Sequence, residues 1–142
     1  MKKILLATTI IASLSALSVH AADNDLTAGT AFIGTGKVSK TACPLLDLAG
    51  EDARVTLSLS KNVNGVFNCD ETKSIISFAT CHEGGSRQES MTTDTPPVAF
   101  TDYKGYFASS RGGSIGASPL GGKCSDTTVA SFLTKEVAKI TD

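Results

Sequence analysis

A chain of 142 residues that is 41% apolar holds one domain's worth of sequence, enough for a modest core. Its 13 basic and 14 acidic residues nearly balance, and removing Lys2 and Lys3 with a leader leaves 11 against 14, a net charge near −3. There is no basic patch, which argues against nucleic acid or anionic lipid as a partner.

The chain begins with Met1-Lys2-Lys3, an apolar and small-residue run over 4–19, and then Val19-His20-Ala21. A basic start, a short apolar middle and a small-residue cleavage site make a secretory signal peptide. Residues 1–21 are assigned to it, with cleavage after Ala21 and Ala22 as the alternative. The run is short and rich in Ser and Thr beside the roughly 20 apolar residues of a membrane span. The first cysteine is Cys43, far beyond the leader, which disfavours a lipid anchor. No membrane span is expected after cleavage. Residues 22–142 are read as a single domain, delivered to the periplasm or the cell exterior.

Residues 26–38 have Leu26, Phe32, Ile33 and Val38 as their only large apolar side chains. They predict an edge strand broken at Gly34 and Gly36. Residues 39–48, with Cys43-Pro44 and Leu45-Leu46, read as a short helical turn or a loop pinned by a bridge. In the next stretch Val55, Leu57 and Leu59 alternate with Thr56, Ser58 and Ser60, the period of a strand with one apolar face. Asn64-Gly65 then signals a hairpin, because both residues tolerate positive φ. A three-residue loop with Gly65 in a bulge pairs Leu59 with Cys69 and Lys61 with Phe67. That register gathers Leu57, Leu59, Phe67 and Cys69 on one face and is preferred. Residues 70–73 make the next turn, and 74–81 a strand with Ile76, Phe78 and Thr80 on one face and Ile75, Ser77, Ala79 and Cys81 on the other. Apolar residues on both faces suit a strand inside a sheet.

Residues 88–97 are polar, end in two prolines and read as a loop. Residues 98–108 hold Phe100, Tyr103, Tyr106 and Phe107, with a tight turn expected at Tyr103-Lys104-Gly105-Tyr106. Cross-strand packing is the ordinary use of such aromatics. Exposed, they make a binding platform; Phe100, Tyr103 and Tyr106 are the candidate partner-binding residues, the two tyrosines preferred because a hydroxyl tolerates the wet rim. Residues 109–123 contain five glycines and read as a long loop tied down by Cys124. Gly112-Gly113-Ser114-Ile115-Gly116 spells G-x-S-x-G, but lacks the preceding strand and following helix of a nucleophile elbow. Gly121-Gly122-Lys123 lacks the first glycine and the Ser or Thr of a phosphate loop. Residues 126–140 place Val129, Phe132, Leu133, Val137 and Ile140 on one face of a helix capped by Ser125 or Asp126.

Cys43, Cys69, Cys81 and Cys124 are an even count in an exported chain, which predicts two disulfides. With a turn at 70–73, Cys69 faces residue 74 and Cys81 lies roughly 23 Å further along the strand. A bridge needs Cα atoms about 6 Å apart, which disfavours Cys69 with Cys81. Two pairings remain: Cys43 with Cys81 and Cys69 with Cys124, or Cys43 with Cys69 and Cys81 with Cys124. There is no C-x-x-C pair, and beyond the leader His82 is the only histidine, so neither metal nor haem is expected and no cofactor is assigned.

Gly29-Thr30-Ala31-Phe32-Ile33-Gly34, with Val38 and Cys43 after it, resembles the start of chaperone–usher pilin subunits. In that family Cys43 and a cysteine near the position of Cys81 are bridged, which implies Cys43 with Cys81 and Cys69 with Cys124, the preferred pairing. The C-terminus departs from that pattern, ending in a helix without a penultimate tyrosine, and membership is not inferred.

These elements predict an α+β fold: an antiparallel sheet of five to seven short strands with one C-terminal amphipathic helix packed on it, stapled by two disulfides. An all-β sandwich is the alternative. With no paired catalytic groups, the expected function is a non-catalytic secreted or periplasmic protein that acts through its surface, such as a subunit of an extracellular assembly or an adhesin-like protein. Its expected partners are proteins or further copies of itself. The alternatives are a periplasmic small-ligand-binding or inhibitor protein, favoured by a pocket lined by Phe100 and Tyr106, and behind it a small hydrolase using His82, Glu83 or Asp70.

Overall fold

A computed structural model describes residues 24–50, 52–113 and 115–140. The leader and its cleavage site lie outside these residues, as does Ser114. The fold is α+β: a six-stranded antiparallel sheet, a C-terminal helix on one face and a two-stranded sheet on the other.

The main sheet runs β1 (Ala31–Phe32), β4 (Val63–Asp70), β5 (Ile75–His82), β7 (Ala99–Ser109) and β6 (Arg87–Met91), with β8 (Ile115–Pro119) also paired to β7. Its centre is the β4–β5 hairpin, in which Asp70 pairs with Ile75 around the expected turn and Val63 pairs with His82. Asp70 closes that turn by accepting a 3.0 Å hydrogen bond from the Lys73 backbone N–H. On β5, Ile75, Ser77, Ala79 and Cys81 are buried and alternate with half-buried Ile76, Phe78, Thr80 and His82. Both faces are therefore covered, as the apolar residues on both sides require.

The first face holds Val66, Ala79 and Cys81 beneath Val129, Phe132 and Leu133 of α1 (Asp126–Ala138). Ser125 caps the helix, accepting from Thr128 N–H while the Thr128 hydroxyl accepts from Ser125 N–H. That reciprocal pair satisfies two of the N–H groups a helix start leaves open. The second face holds Phe67 against Leu26, Phe32, Val38 and Cys43, with Leu46, Leu57, Leu59, Ile76 and Phe78 around them. Here lie β2 (Thr35–Ser39) and β3 (Arg54–Ser58), paired as a separate sheet. Arg54 Nε donates to Asp25 Oδ1 at 3.0 Å, tying the start of the described chain to β3.

Each core has its own bridge: Cys43–Cys69 in the second and Cys81–Cys124 in the first. The preferred pairing of Cys43 with Cys81 and Cys69 with Cys124 is therefore wrong. Cys69 stands opposite Ile76, so it shares the face of Phe78 and points away from Cys81. The segment carrying Cys43 packs on the Cys69 face, and the helix carrying Cys124 packs on the Cys81 face. The bridge implied by the pilin resemblance falls with that pairing.

Three local expectations fail, two of them for a common reason. Residues 55–60 do not pair with β4 across Asn64-Gly65. Instead β3 pairs with β2, and the chain turns at residues 60–63, where Asn62 adopts φ 64°. Gly65 lies inside β4, where a Cβ would come within 2.7 Å of Leu59 Cδ1. Nor is there a turn at 103–106: β7 runs unbroken from Ala99 to Ser109, and a Cβ on Gly105 would meet the Phe132 ring at 2.7–2.9 Å. Both glycines serve close approach, not turning. The expected loops at 88–97 and 109–123 are shorter than read, because each contributes a strand, β6 and β8, to β7.

Candidate functional site

The first half of β7, Ala99 to Tyr103, pairs only with β6, and its second half, Gly105 to Ser109, pairs with β5. The β6 strand makes extensive contact with no other element. Together β6 and the start of β7 form a two-stranded arm leaving the body, closed by the loop at 92–98. Thr92 N–H donates to Val98 O at 2.9 Å, and Val98 N–H donates to Thr92 Oγ1 at 3.0 Å. The loop holds a cis bond between Thr95 and Pro96. Residues 93–101 are all exposed. Three large apolar side chains stand in solvent at this end: Met91 at 62%, Val98 at 58% and Phe100 at 40% exposure. A lone two-stranded ribbon is marginally stable in water, and apolar groups at its tip add no intramolecular burial.

The base of the arm is rigidly held. Asp102 is 1% exposed and accepts three backbone hydrogen bonds: from Tyr103 at 2.7 Å, Gly121 at 2.8 Å and Gly122 at 2.9 Å. This carboxylate anchors the turn that follows β8, where Gly121 and Gly122 have φ of 85° and 154°. Arg87 stacks 4.7 Å from the Tyr103 ring centre and donates to the Tyr103 hydroxyl at 2.8 Å. Lys104 N–H donates to Ser86 O, joining the arm to the body between β5 and β6.

Beyond the base, Tyr106 lies between Thr80 of β5 and Ala117 of β8, and Ala108 lies between Phe78 and Ile115. Phe78, Thr80, Tyr106, Phe107, Ala108 and Ile115 line an apolar groove of about 310 Å³, at whose rim Tyr106 is 38% and Ile115 75% exposed. The groove has no charged lining. A smaller apolar cavity of about 100 Å³ lies between the two sheets, beside Cys43 and lined by Leu46, Leu57, Ile76 and Phe78 among others.

The expected platform of Phe100, Tyr103 and Tyr106 is thus divided along one strand. Phe100 is on the arm, Tyr103 is half-buried at its base against the helix-side core, and Tyr106 is in the groove. Six residues separate Phe100 from Tyr106, roughly 20 Å at strand rise, so they do not line one pocket. Met91, Val98, Ile115 and Asp102 complete these features without having been singled out in the sequence. Their signal was weak: Met91 and Val98 flank a polar stretch, and Ile115 stands alone among glycines and serines.

The hydrolase candidates fall at two places, Asp70 at one and the adjoining His82 and Glu83 at the other. Asp70 and His82 sit at opposite ends of the β4–β5 hairpin. His82 Nδ1 accepts from Gly84 N–H at 2.9 Å, a local turn contact. Among the described residues no three His, Cys, Asp or Glu side chains lie close enough to hold a metal ion, and no helix is long and apolar enough to cross a membrane. No protein-family model, curated protein or solved structure matches this chain.

Proposed function

We propose that this is an exported, non-catalytic protein that acts by binding other proteins or further copies of itself, with the β6–β7 arm as its contact element. The observation that carries this reading is the arm itself: Met91, Val98 and Phe100 lie in solvent at the end of a ribbon whose strand β6, among the described residues, makes extensive contact only with β7. Burial of three large apolar groups in a partner supplies the driving force that the free molecule forgoes. The rigid base supports a recognition role, because a preoriented arm loses little freedom on binding. Export is supported by the basic and apolar opening of the chain and by the two disulfides, which persist in oxidising compartments.

The test is a photoreactive amino acid placed at Phe100 in the exported protein, with the exposed position Lys40 as control. Discrete protein adducts from position 100, absent from position 40, are expected. Adducts from neither position, or equally from both, would contradict the reading. A second reading, binding of a small apolar molecule, is favoured by the 100 Å³ interlayer cavity. A rise in melting temperature under xenon pressure that Leu46→Phe abolishes would support it.

A further inference from the structure

Among the described residues, two apolar features stand without a covering partner, one projecting and one recessed. The arm tip carries Met91, Val98 and Phe100, and its loop at 92–98 has Asp94 as its only charge. The groove over the second half of β7 is lined by Phe78, Thr80, Tyr106, Phe107, Ala108 and Ile115 and carries no charge. The groove, about 310 Å³ and open to solvent, has room to receive an apolar side chain.

The two features cannot meet within one molecule. Arm and groove are successive halves of the same unbroken strand, and Phe100 stands roughly 20 Å from Tyr106 along it. The arm base is tied to the body, because Asp102 accepts from the backbone N–H groups of Gly121 and Gly122 after β8.

We infer that the protein assembles head to tail with itself, the arm tip of one copy seated in the Phe78–Tyr106–Ile115 groove of the next. This rests on the surface-acting reading above and names a second copy as the partner. The two contact surfaces differ, so each addition leaves one free arm and one free groove, and growth continues unless a ring closes. The fixed arm base gives every copy the same geometry. One tip in one groove is a small interface of the weak, reversible class.

The test uses the whole exported chain with both disulfides intact, as wild type, Val98→Asp and Ile115→Asp. Both positions are exposed, at 58% and 75%, and an unchanged melting temperature verifies the fold of each variant. Sedimentation velocity is followed from about 10 μM to about 1 mM, a range suited to weak association. The wild type is expected to rise in mass past the dimer. Each variant alone is expected to stay monomeric, since one lacks an arm and the other a groove. Their equimolar mixture is expected to form a dimer of one of each and nothing larger, because the arm of the Ile115→Asp chain can still enter the groove of the Val98→Asp chain.

Wild type that stays monomeric at the highest concentration would overturn the inference. So would Ile115→Asp associating as wild type does, which would mean arms pairing with arms, or a monomeric mixture of two folded variants. Monomeric wild type together with adducts to a different protein from position 100 would overturn self-assembly and leave the surface-acting reading standing. Loss of both would overturn the two together.

Discussion

Cys69 and Cys81 lie on adjacent strands of one hairpin and point to opposite faces of the sheet, Cys69 beside Ile76 and Cys81 beside Asn64. Each binds the layer that covers its own face: Cys69 the segment at 39–48 through Cys43, and Cys81 the start of α1 through Cys124. The central hairpin is thus clamped from both sides. The loops closed are 26 and 43 residues long. Replacing Cys43 and Cys69 together by alanine is expected to cost about 3.5 kcal/mol, and replacing Cys81 and Cys124 together about 4 kcal/mol, on the loop-entropy relation. Urea unfolding of each double variant measures this. Hydrogen exchange should rise first on β2 and β3 in the former and on α1 in the latter.

Gly105 governs how closely the helix approaches the sheet. A Cβ there would stand 2.7 Å from the Phe132 ring, while the backbone itself is ordinary extended strand. Gly105→Ala is expected to cost about 1–3 kcal/mol by overpacking. Combining it with Phe132→Leu should cost less than the sum of the two single changes, a coupling that a double-mutant cycle detects.

Asp102 should be the most costly polar side chain to remove at the arm base. Asp102→Ala strands three backbone N–H groups and is expected to cost about 2–3 kcal/mol or more. Asp102→Asn keeps one acceptor oxygen and should cost less. Amide exchange at Gly121 and Gly122 should quicken in the alanine variant, and adduct yield from a photoreactive group at position 100 should fall as the arm loses its orientation.

Ser77 offers a contrasting case. It is 2% exposed on the face beneath the helix, and its hydroxyl has no hydrogen-bond partner in the structure. A buried hydroxyl without a partner is unfavourable. Ser77→Ala is therefore expected to leave stability unchanged or raise it by up to about 1 kcal/mol, read as a shift in urea midpoint at constant slope.

The fold was legible wherever local pattern and tertiary use agree. The turn after Asp70, the two faces of β5 and the helix with its Ser125 cap all follow from periodicity and capping chemistry. Glycine was where reading failed. A glycine marks either a backbone bend or a missing side chain, and only its spatial neighbour tells which. For Gly65 that neighbour is Leu59, and for Gly105 it is Phe132, 27 residues away in the sequence. The cysteine pairing was open because the hairpin register separates Cys69 from Cys81 without saying which layer covers which face. Ser77, Ala79 and Gly105, the small residues where the helix settles, carry that information. Within the candidate site Phe100 was identified from its aromatic character, but Tyr103 is taken up by Arg87, a partner that no local spacing announces.

Trypsin separates all four cysteines into peptides 41–54, 62–73, 74–87 and 124–135. Mass spectrometry of an unreduced digest of the full chain, expressed with its leader, is therefore the most direct test of a sheet clamped on both faces. The account predicts 41–54 joined to 62–73 and 74–87 joined to 124–135. Free thiols, or 41–54 joined to 74–87, would contradict it, and the placement of helix, small sheet and arm would fall with it.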